Sequence, residues 1–394
     1  VHHPLQPFDA RNFTPGRLGH PGRAFSFDRQ AYDGARRAAG PRAPRAPFLP
    51  APLPPLAETD VALDDLVGFL EHPVKAFLRQ RLGVTLARDE GELAEAMVAE
   101  LDGLTEWQIG DRILRARLAG ADPLACQEAE WRRGALPPGR LGQAALGTVM
   151  AQVEPLVALA APLRTGAPDT LDVTARLDVP RRGPTRLTGT VGGIHGRTIL
   201  RVEYSRLAPR HRLRAWAALL TLTVARPGTA WTAVTIGRGT KQGGAGNRAG
   251  SRTGNQADTP RLARSTLGPV DPDAARAHLA ALVDLRARGL CAPLPLPVRT
   301  AASYAERRMV KGHAVDAAVA AAERYVWRSG DYQAGEQDDE AHRQVWGDQP
   351  ELAVLLDEPP GPDERWLTAE PTRFGQLTRR LWDPLLAAET LETP

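Results

Sequence analysis

Cysteine is nearly absent. Cys126 and Cys291 are the whole complement, far apart and without a CxxC pair, which excludes a disulfide framework and gives no support to a zinc site. A reducing cytoplasm is the simplest setting. Long apolar runs are also lacking: no window of about 18 residues reads as continuously apolar, and the N-terminus has no signal-like core. A soluble protein without membrane contact is expected. There is no initiator Met, and a chain that begins at Val1 is expected to be processed or to be the C-terminal piece of a longer protein. A phosphate-cradling loop is missing too, since Gly243-Gly-Ala-Gly-Asn247 is not followed by Gly-Lys-Ser/Thr, so a Walker A motif is rejected. Neither a cofactor nor a metal is expected.

What the chain does have is length, proline and unevenly placed charge. Its 394 residues suffice for two domains or one large domain with appendages. The hydrophobic fraction of 42% fits a globular class, while 35 Pro and 37 Gly assign much of the chain to loops. The net charge is only +4, yet residues 1–50 hold eight Arg against three Asp, and residues 237–268 hold six Lys or Arg against one Asp. Residues 331–370 reverse the bias, with twelve Asp or Glu against two Arg. This polarity suggests a basic side for polyanions and an acidic side turned elsewhere; solvated, flexible segments would show the same runs.

Residues 1–58 carry a proline every few positions, which removes amide donors and predicts an extended arm anchored by Phe8, Phe13, Phe25, Phe27 and Tyr32. From Asp60 a helical stripe of Leu63, Leu66, Val67 and Leu70 breaks at His72-Pro73 and resumes with Val74, Phe77, Leu78 and Leu82. Further helices are expected over 90–101, 104–118 and 142–159, completing a helical subdomain over 59–165. Residues 166–236 change to period two and read as three strands, a helix from about Arg210 to Val224 and a strand over 231–236, which is an α/β sandwich with a mixed sheet. Residues 237–268 read as a flexible basic loop. Residues 269–394 read as a C-terminal helical part packing on the core, with helices near 271–288, 302–328 and 373–388. The apolar groups of the tryptophan-containing helices and of the arm exceed what one sandwich buries, so part of that surface is expected to face partners.

The stretch from Leu187 to Ser205 reads Leu-Thr-Gly-Thr-Val-Gly-Gly-Ile-His-Gly-Arg-Thr-Ile-Leu-Arg-Val-Glu-Tyr-Ser, two strands meeting at a glycine turn and feeding a helix. It occurs with His3-Pro-Leu-Gln-Pro-Phe-Asp9, Phe25-Ser-Phe-Asp28, the long block from Leu63 to Val84, and Leu101-Asp-Gly-Leu-Thr-Glu-Trp-Gln-Ile109. In that order these stretches resemble the C-terminal region of the gamma subunit (RecC) of exodeoxyribonuclease V, the RecBCD-type helicase–nuclease, over nearly the whole chain. The resemblance implies a restriction-endonuclease-like, PD-(D/E)xK-type sandwich with additional helices and an N-terminal arm. It implies a fragment without the helicase-like part, a nuclease domain that has lost catalysis, and RecB-like and RecD-like helicase subunits as partners alongside DNA.

The residues themselves point to that loss. Hydrolysis of a phosphodiester with Mg²⁺ needs at least two oxygen ligands and a nearby Lys. On the pattern of active relatives, Gly192 stands where the first Asp belongs, Ser205 replaces the Lys, and Leu146 replaces a His on the helix from Gly142. Glu203 could still ligate a metal, or it is a solvated or ion-paired strand residue. Positive charge remains at Arg181, Arg182, Arg186, Arg197, Arg201, Arg206, Arg210, Arg212 and Arg214. With Arg238, Lys241, Arg248 and Arg252 of the loop, these are candidates to hold single-stranded or forked DNA by its backbone; a compositional preference for Arg over Lys would give the same excess. Two other readings stay open: an active Mg²⁺ nuclease with ligands such as Asp172, Asp178 and Glu203, and a protein scaffold with no DNA contact.

Overall fold

The computed structural model describes residues 3–18, 21–40, 46–86, 101–239, 261–330 and 334–394. They divide into two units, Val1–Pro50 and Ala51–Pro394. In the first unit the expected extended arm is broken by a helix, α1 (Arg29–Ala39). Its first-turn amides at Gln30 and Ala31 donate to the Asp28 carboxylate at 2.8 and 3.1 Å. The helix forms because the prolines at 21 and 41 flank this segment and do not interrupt it. Phe13 and Tyr32 meet edge to face at 5.5 Å, while Phe27 is exposed.

The second unit starts with β1 (Asp60–Ala62), which runs straight into α2 (Leu63–Glu71). His72, ahead of Pro73, takes φ −162° and ψ 84° and ends the helix, as a residue before proline is biased to do. α3 (Pro73–Ala76) restarts at once and continues through a wider turn to Arg81. Of the helix expected over 90–101, all but the last residue lies outside the described residues. α4 (Gly103–Leu118), α5 (Pro123–Arg133) and α6 (Gly139–Ala160) follow. α5 is not among the expected helices, although Asp122-Pro123 is a start signal and Gly134, at φ 72°, a stop. The segment Gly139–Leu163 is long and apolar enough to cross a membrane by length and composition, which corrects the expectation that no such run exists. Here Leu146, Val149, Val153 and Leu156 of that segment pack in a core with α4 and the sheet.

β2 (Asp169–Val179), β3 (Gly183–His195) and β4 (Thr198–Arg206) lead into α7 (Pro209–Ala225), β5 (Thr232–Arg238) and β6 (Leu262–Leu267). The remainder comprises α8 (Pro272–Gly289), α9 (Val298–Ala305), α10 (Val315–Ala322), α11 (Glu340–Trp346), α12 (Ala353–Leu356), α13 (Arg373–Ala387) and β7 (Glu389–Glu392). The sheet is mixed and seven-stranded, in the order β1-β3-β4-β5-β6-β7 with β2 also on β3. β2 occupies one edge of β3 along its length, so β1 and β4 share the other. β1 pairs with Arg186–Thr188, and β4 only with Ile194 and His195. Between those points the two strands splay and the sheet forks.

Helices cover both faces beside the fork. Val173, Ala175, Leu177, Leu187, Val191 and Ile199 share a core with α2, α7, α8, α9 and α13, while Leu200, Tyr204, Val234 and Ile236 enter the core with α4 and α6. On β2 the alternate residues Asp172, Thr174, Arg176 and Asp178 remain exposed, as the period-two pattern predicts.

Four further expectations need correction. The loop expected over 237–268 is shorter at both ends, because β5 runs to Arg238 and β6 buries Leu262, Ala263, Ser265 and Leu267. β6 pairs on both edges, so its backbone is satisfied even where its side chains are polar. The helix expected over 302–328 is interrupted between Val310 and Val315, where Gly312 has φ 66°. The acidic stretch is not simply a wet face, since Glu336, Glu364 and Glu370 are buried and bonded. Finally, Trp327 and Trp382, expected to help present an apolar surface to partners, are fully buried within the chain.

Candidate nucleic-acid interface at the sheet fork

The two-residue period of β4 distributes its side chains between the layers. Leu200 and Tyr204 go to the α4–α6 side, so Arg201 and Glu203 follow Ile199 to the side of α2 and α7. Arg201 lines a cleft of about 360 Å³ at the fork, with Asp64, Gly68 and Glu71 of α2, Arg79, Thr190 of β3 and Arg214 of α7. Arg214 Nη2 lies 2.6 Å from Glu71 Oε1, which leaves that pair largely self-neutralising. The Nε of Arg201 is buried without a hydrogen-bond partner. Burial, with Arg214 beside it, weakens the hold of Arg201 on its proton, but a guanidinium stays charged in proteins.

Glu203 sits among these cations. Burial raises its carboxyl above the ordinary range, while Arg214 and Arg201 pull it down. The Ser205 hydroxyl lies 3.5 Å from His211 Nε2. Nδ1 of that imidazole accepts from the Ala208 amide at 3.1 Å. Arg210 Nε donates to Nε2 at 3.2 Å, so a donor faces each ring nitrogen, and a neutral imidazole accepts at only one of them. Burial first, then Arg210 and Arg214, lower the His211 pKa to about 4.

The other expected residues are dispersed. Leu146 is a core side chain. At Gly192 a Cβ would stand 3.3 Å from Thr170 Oγ1. Arg186 is exposed and pairs with Asp60 at 2.5 and 3.0 Å. Arg197, Arg206 and Arg210 are exposed around the β3–β4 turn and the entry to α7. Arg238 stacks over the Tyr204 ring at 4.4 Å and bonds to Gln152, which directs it inward. Lys241, Arg248 and Arg252 lie outside the described residues. Asp172 accepts from Thr190 at 2.8 Å on the exposed face of β2 and β3, and Asp178 is exposed on that face. Both lie opposite the side to which Glu203 turns.

The structure therefore brings Arg201 and Glu203 together with Arg214, and adds Asp64, Glu71 and Arg79, which sequence reading missed. A signal for them existed: Asp64, Gly68 and Glu71 are spaced i, i+4, i+7 and share one face of α2.

A mixed α/β sheet with helices on both faces and an arginine-lined fork defines the class. Within it, the model of the RecC C-terminal domain matches residues 58–309, and the chain belongs to that family. It is similar to the RecBCD enzyme subunit RecC of Mycolicibacterium smegmatis, at 40% identity over 98% of this chain and 33% of that protein. It is likewise similar to that of Mycobacterium tuberculosis (strain ATCC 25618 / H37Rv), at 38% identity over 99% and 32%. The RecC of Escherichia coli (strain K12) is 30% identical over 36% of this chain and 12% of that protein. The chain thus spans about a third of the length of its mycobacterial relatives.

Proposed function

We propose that this chain is a restriction-endonuclease-like module that holds a DNA backbone without cutting it. It does so as part of a RecBCD-type helicase–nuclease in the bacterial cytoplasm, in double-strand break repair by recombination, and it joins RecB-like and RecD-like subunits. The observation that carries the reading is Arg201, half-buried at the mouth of a fork, whose Nε is buried and has no partner. A phosphate oxygen is the kind of acceptor such a donor lacks. The active-nuclease alternative is disfavoured because Asp172 and Asp178 lie on the face opposite Glu203, and because Ser205 supplies no positive charge.

Fluorescence anisotropy with single-stranded and forked DNA tests this reading. Binding should be tolerant of sequence, with log affinity falling by roughly 0.7 per phosphate against log salt on single strands. Arg201→Gln should weaken it about tenfold, as for one hydrogen bond to a charged group at about 1.5–3 kcal/mol, while Lys241, Arg248 and Arg252 changed together to Ala report on the loop. Linear DNA incubated with Mg²⁺ or Mn²⁺ should stay intact; cleavage that disappears in Glu203→Ala would overturn the non-catalytic reading. Absence of any DNA crosslink in the assembled complex would leave the scaffold reading. Exposed Leu104, Leu124 and Leu141 on α4, α5 and α6 are apolar groups that a partner subunit would cover.

A further inference from the structure

Away from the fork, the elbow between α2 and α3 meets the start of α11, and three ligating side chains converge there. His72 Nε2 lies 3.1 Å from Asp339 Oδ2, and the rings of His72 and His342 are 5.0 Å apart. One ligating atom from each of His72, Asp339 and His342 lies within 4.8 Å of the others. Around a divalent ion with bonds of about 2.0–2.2 Å, tetrahedral ligand atoms stand about 3.4 Å apart. The His72–Asp339 pair is already at that spacing, and a pair at the wide end would close by roughly an ångström through side-chain rotation.

His342 is prepared for such a role. Its Nδ1 is 2.8 Å from the Glu336 carbonyl oxygen, which can only accept, so Nδ1 carries the proton and Nε2 keeps a bare lone pair. That Nε2 is buried with no hydrogen-bond partner, in a residue 1% exposed and flanked by Trp327 and Trp346 at 5.8 and 5.2 Å. A carbonyl holding the far nitrogen while the near one points at a metal is the usual support of a ligating histidine. Asp339 is fixed as well, because its Oδ1 caps α11 by accepting from Ala341 and His342 amides at 3.0 and 3.1 Å, and Oδ2 is the oxygen beside His72. His72 itself must change. Its Nδ1 now accepts from the Lys75 amide at 3.2 Å, so the proton is on Nε2. Ligation moves that proton to Nδ1 and gives up the long contact to Lys75, with no net proton released. An adjoining cleft of about 350 Å³, lined in part by His72, Asp339 and Arg299, gives access and room for a water as fourth ligand.

We propose that His72, Asp339 and His342 form a binding site for one divalent transition-metal ion of the zinc class. The ion would pin the α2–α3 elbow to the segment from Glu336 to Trp346. Two imidazole nitrogens favour such an ion over Mg²⁺ or Ca²⁺, which prefer all-oxygen sites. No spacing in the chain announces this set, since His72 is remote from the other two and reads as a helix breaker.

The test uses the untagged full chain, stripped with chelator and titrated with Co²⁺. One equivalent should produce the visible absorption of a four-coordinate cobalt site, Zn²⁺ should abolish it, and Mg²⁺ should not. His342→Gln and Asp339→Asn, the latter retaining the cap acceptor, should each weaken Co²⁺ binding at least tenfold and remove the Zn²⁺-dependent rise in Tm. Far-UV circular dichroism reports whether each variant folds; where His342→Gln does not, Asp339→Asn and His72→Phe decide. No absorption at stoichiometric Co²⁺, or absorption unchanged in the folded variants, overturns the proposal.

Discussion

His211 shows how position changes the chemistry of a single residue. In the sequence it is one of nine histidines, and in the structure burial and two arginines hold its pKa at about 4 against an ordinary 6.5. A base whose folded pKa is depressed binds fewer protons in the native than in the unfolded state between those values, so stability rises with pH across that interval. The contribution is complete above pH 6.5 and is lost as pH falls toward 4, amounting to ~3 kcal/mol over the window. His278 and His342 are lowered by burial too and act in the same direction. His211→Gln is therefore expected to flatten, but not abolish, the rise of urea-unfolding stability between pH 4 and 6.5. An unchanged pH slope in the variant would remove His211 from this account. Gly110 is a second residue invisible to patterning: in mid-helix it reads as a weak point, yet a Cβ there would stand 2.2 Å from the Tyr204 ring, so the close approach of α4 to β4 depends on its absence.

Among the elements, β7 is held by charge buried within the chain. Arg212 of α7 is 5% exposed; its Nε donates to Glu389 Oε1 at 2.8 Å and its Nη1 to Glu306 Oε1 at 2.6 Å. Ser265 of β6 donates to the same Glu389 oxygen at 2.5 Å. Removing one member strands the other in low dielectric, so Arg212→Met should destabilise the fold by about 3–5 kcal/mol. Replacing both, Arg212→Met with Glu389→Leu, should recover much of that loss. A double-mutant cycle by chemical denaturation measures the coupling, and strictly additive losses would refute it. Such pairings explain why elements at the C-terminal end were poorly legible. The helix of α13 is visible in the spacing of Phe374, Leu377, Leu381 and Leu385, but β7 is a four-residue segment with two glutamates and has no strand pattern of its own. β6 was absorbed into a polar loop for the same reason. Its place is set by β5 and β7 on its two edges, not by its own hydrophobicity.

For the molecule as a whole, the sheet separates two cores within Ala51–Pro394, one under α7, α8 and α13 and one under α4 and α6. They share β4, whose Ile199 faces one and Leu200 the other, and this common strand should make them unfold together. Leu385→Ala in the first core and Leu146→Ala in the second are each expected to cost about 2–5 kcal/mol. Each should shift the same transition whether followed by tryptophan fluorescence or by far-UV circular dichroism. Separate transitions for the two variants would show that the cores are independent.

The sequence by itself determined the local periods: the helical stripes of α2, α4, α6, α7, α8 and α13, the alternation of β2, the elbow at His72-Pro73 and the motif blocks of the family. Each is written in residues close together in the chain, where hydrophobic spacing and proline sterics act without help. It also showed Arg201 and Glu203 on one strand, two residues apart. Only the tertiary structure decided that β1 and β4 share one edge of β3 and so open a fork, and that Asp64, Glu71 and Arg214 line it with Arg201. The same holds for Arg238, stacked on Tyr204, and for His72, brought beside Asp339 and His342. These are long-range pairings, set by which strand edges remain free and which charges must be neutralised when buried, and no local pattern encodes them.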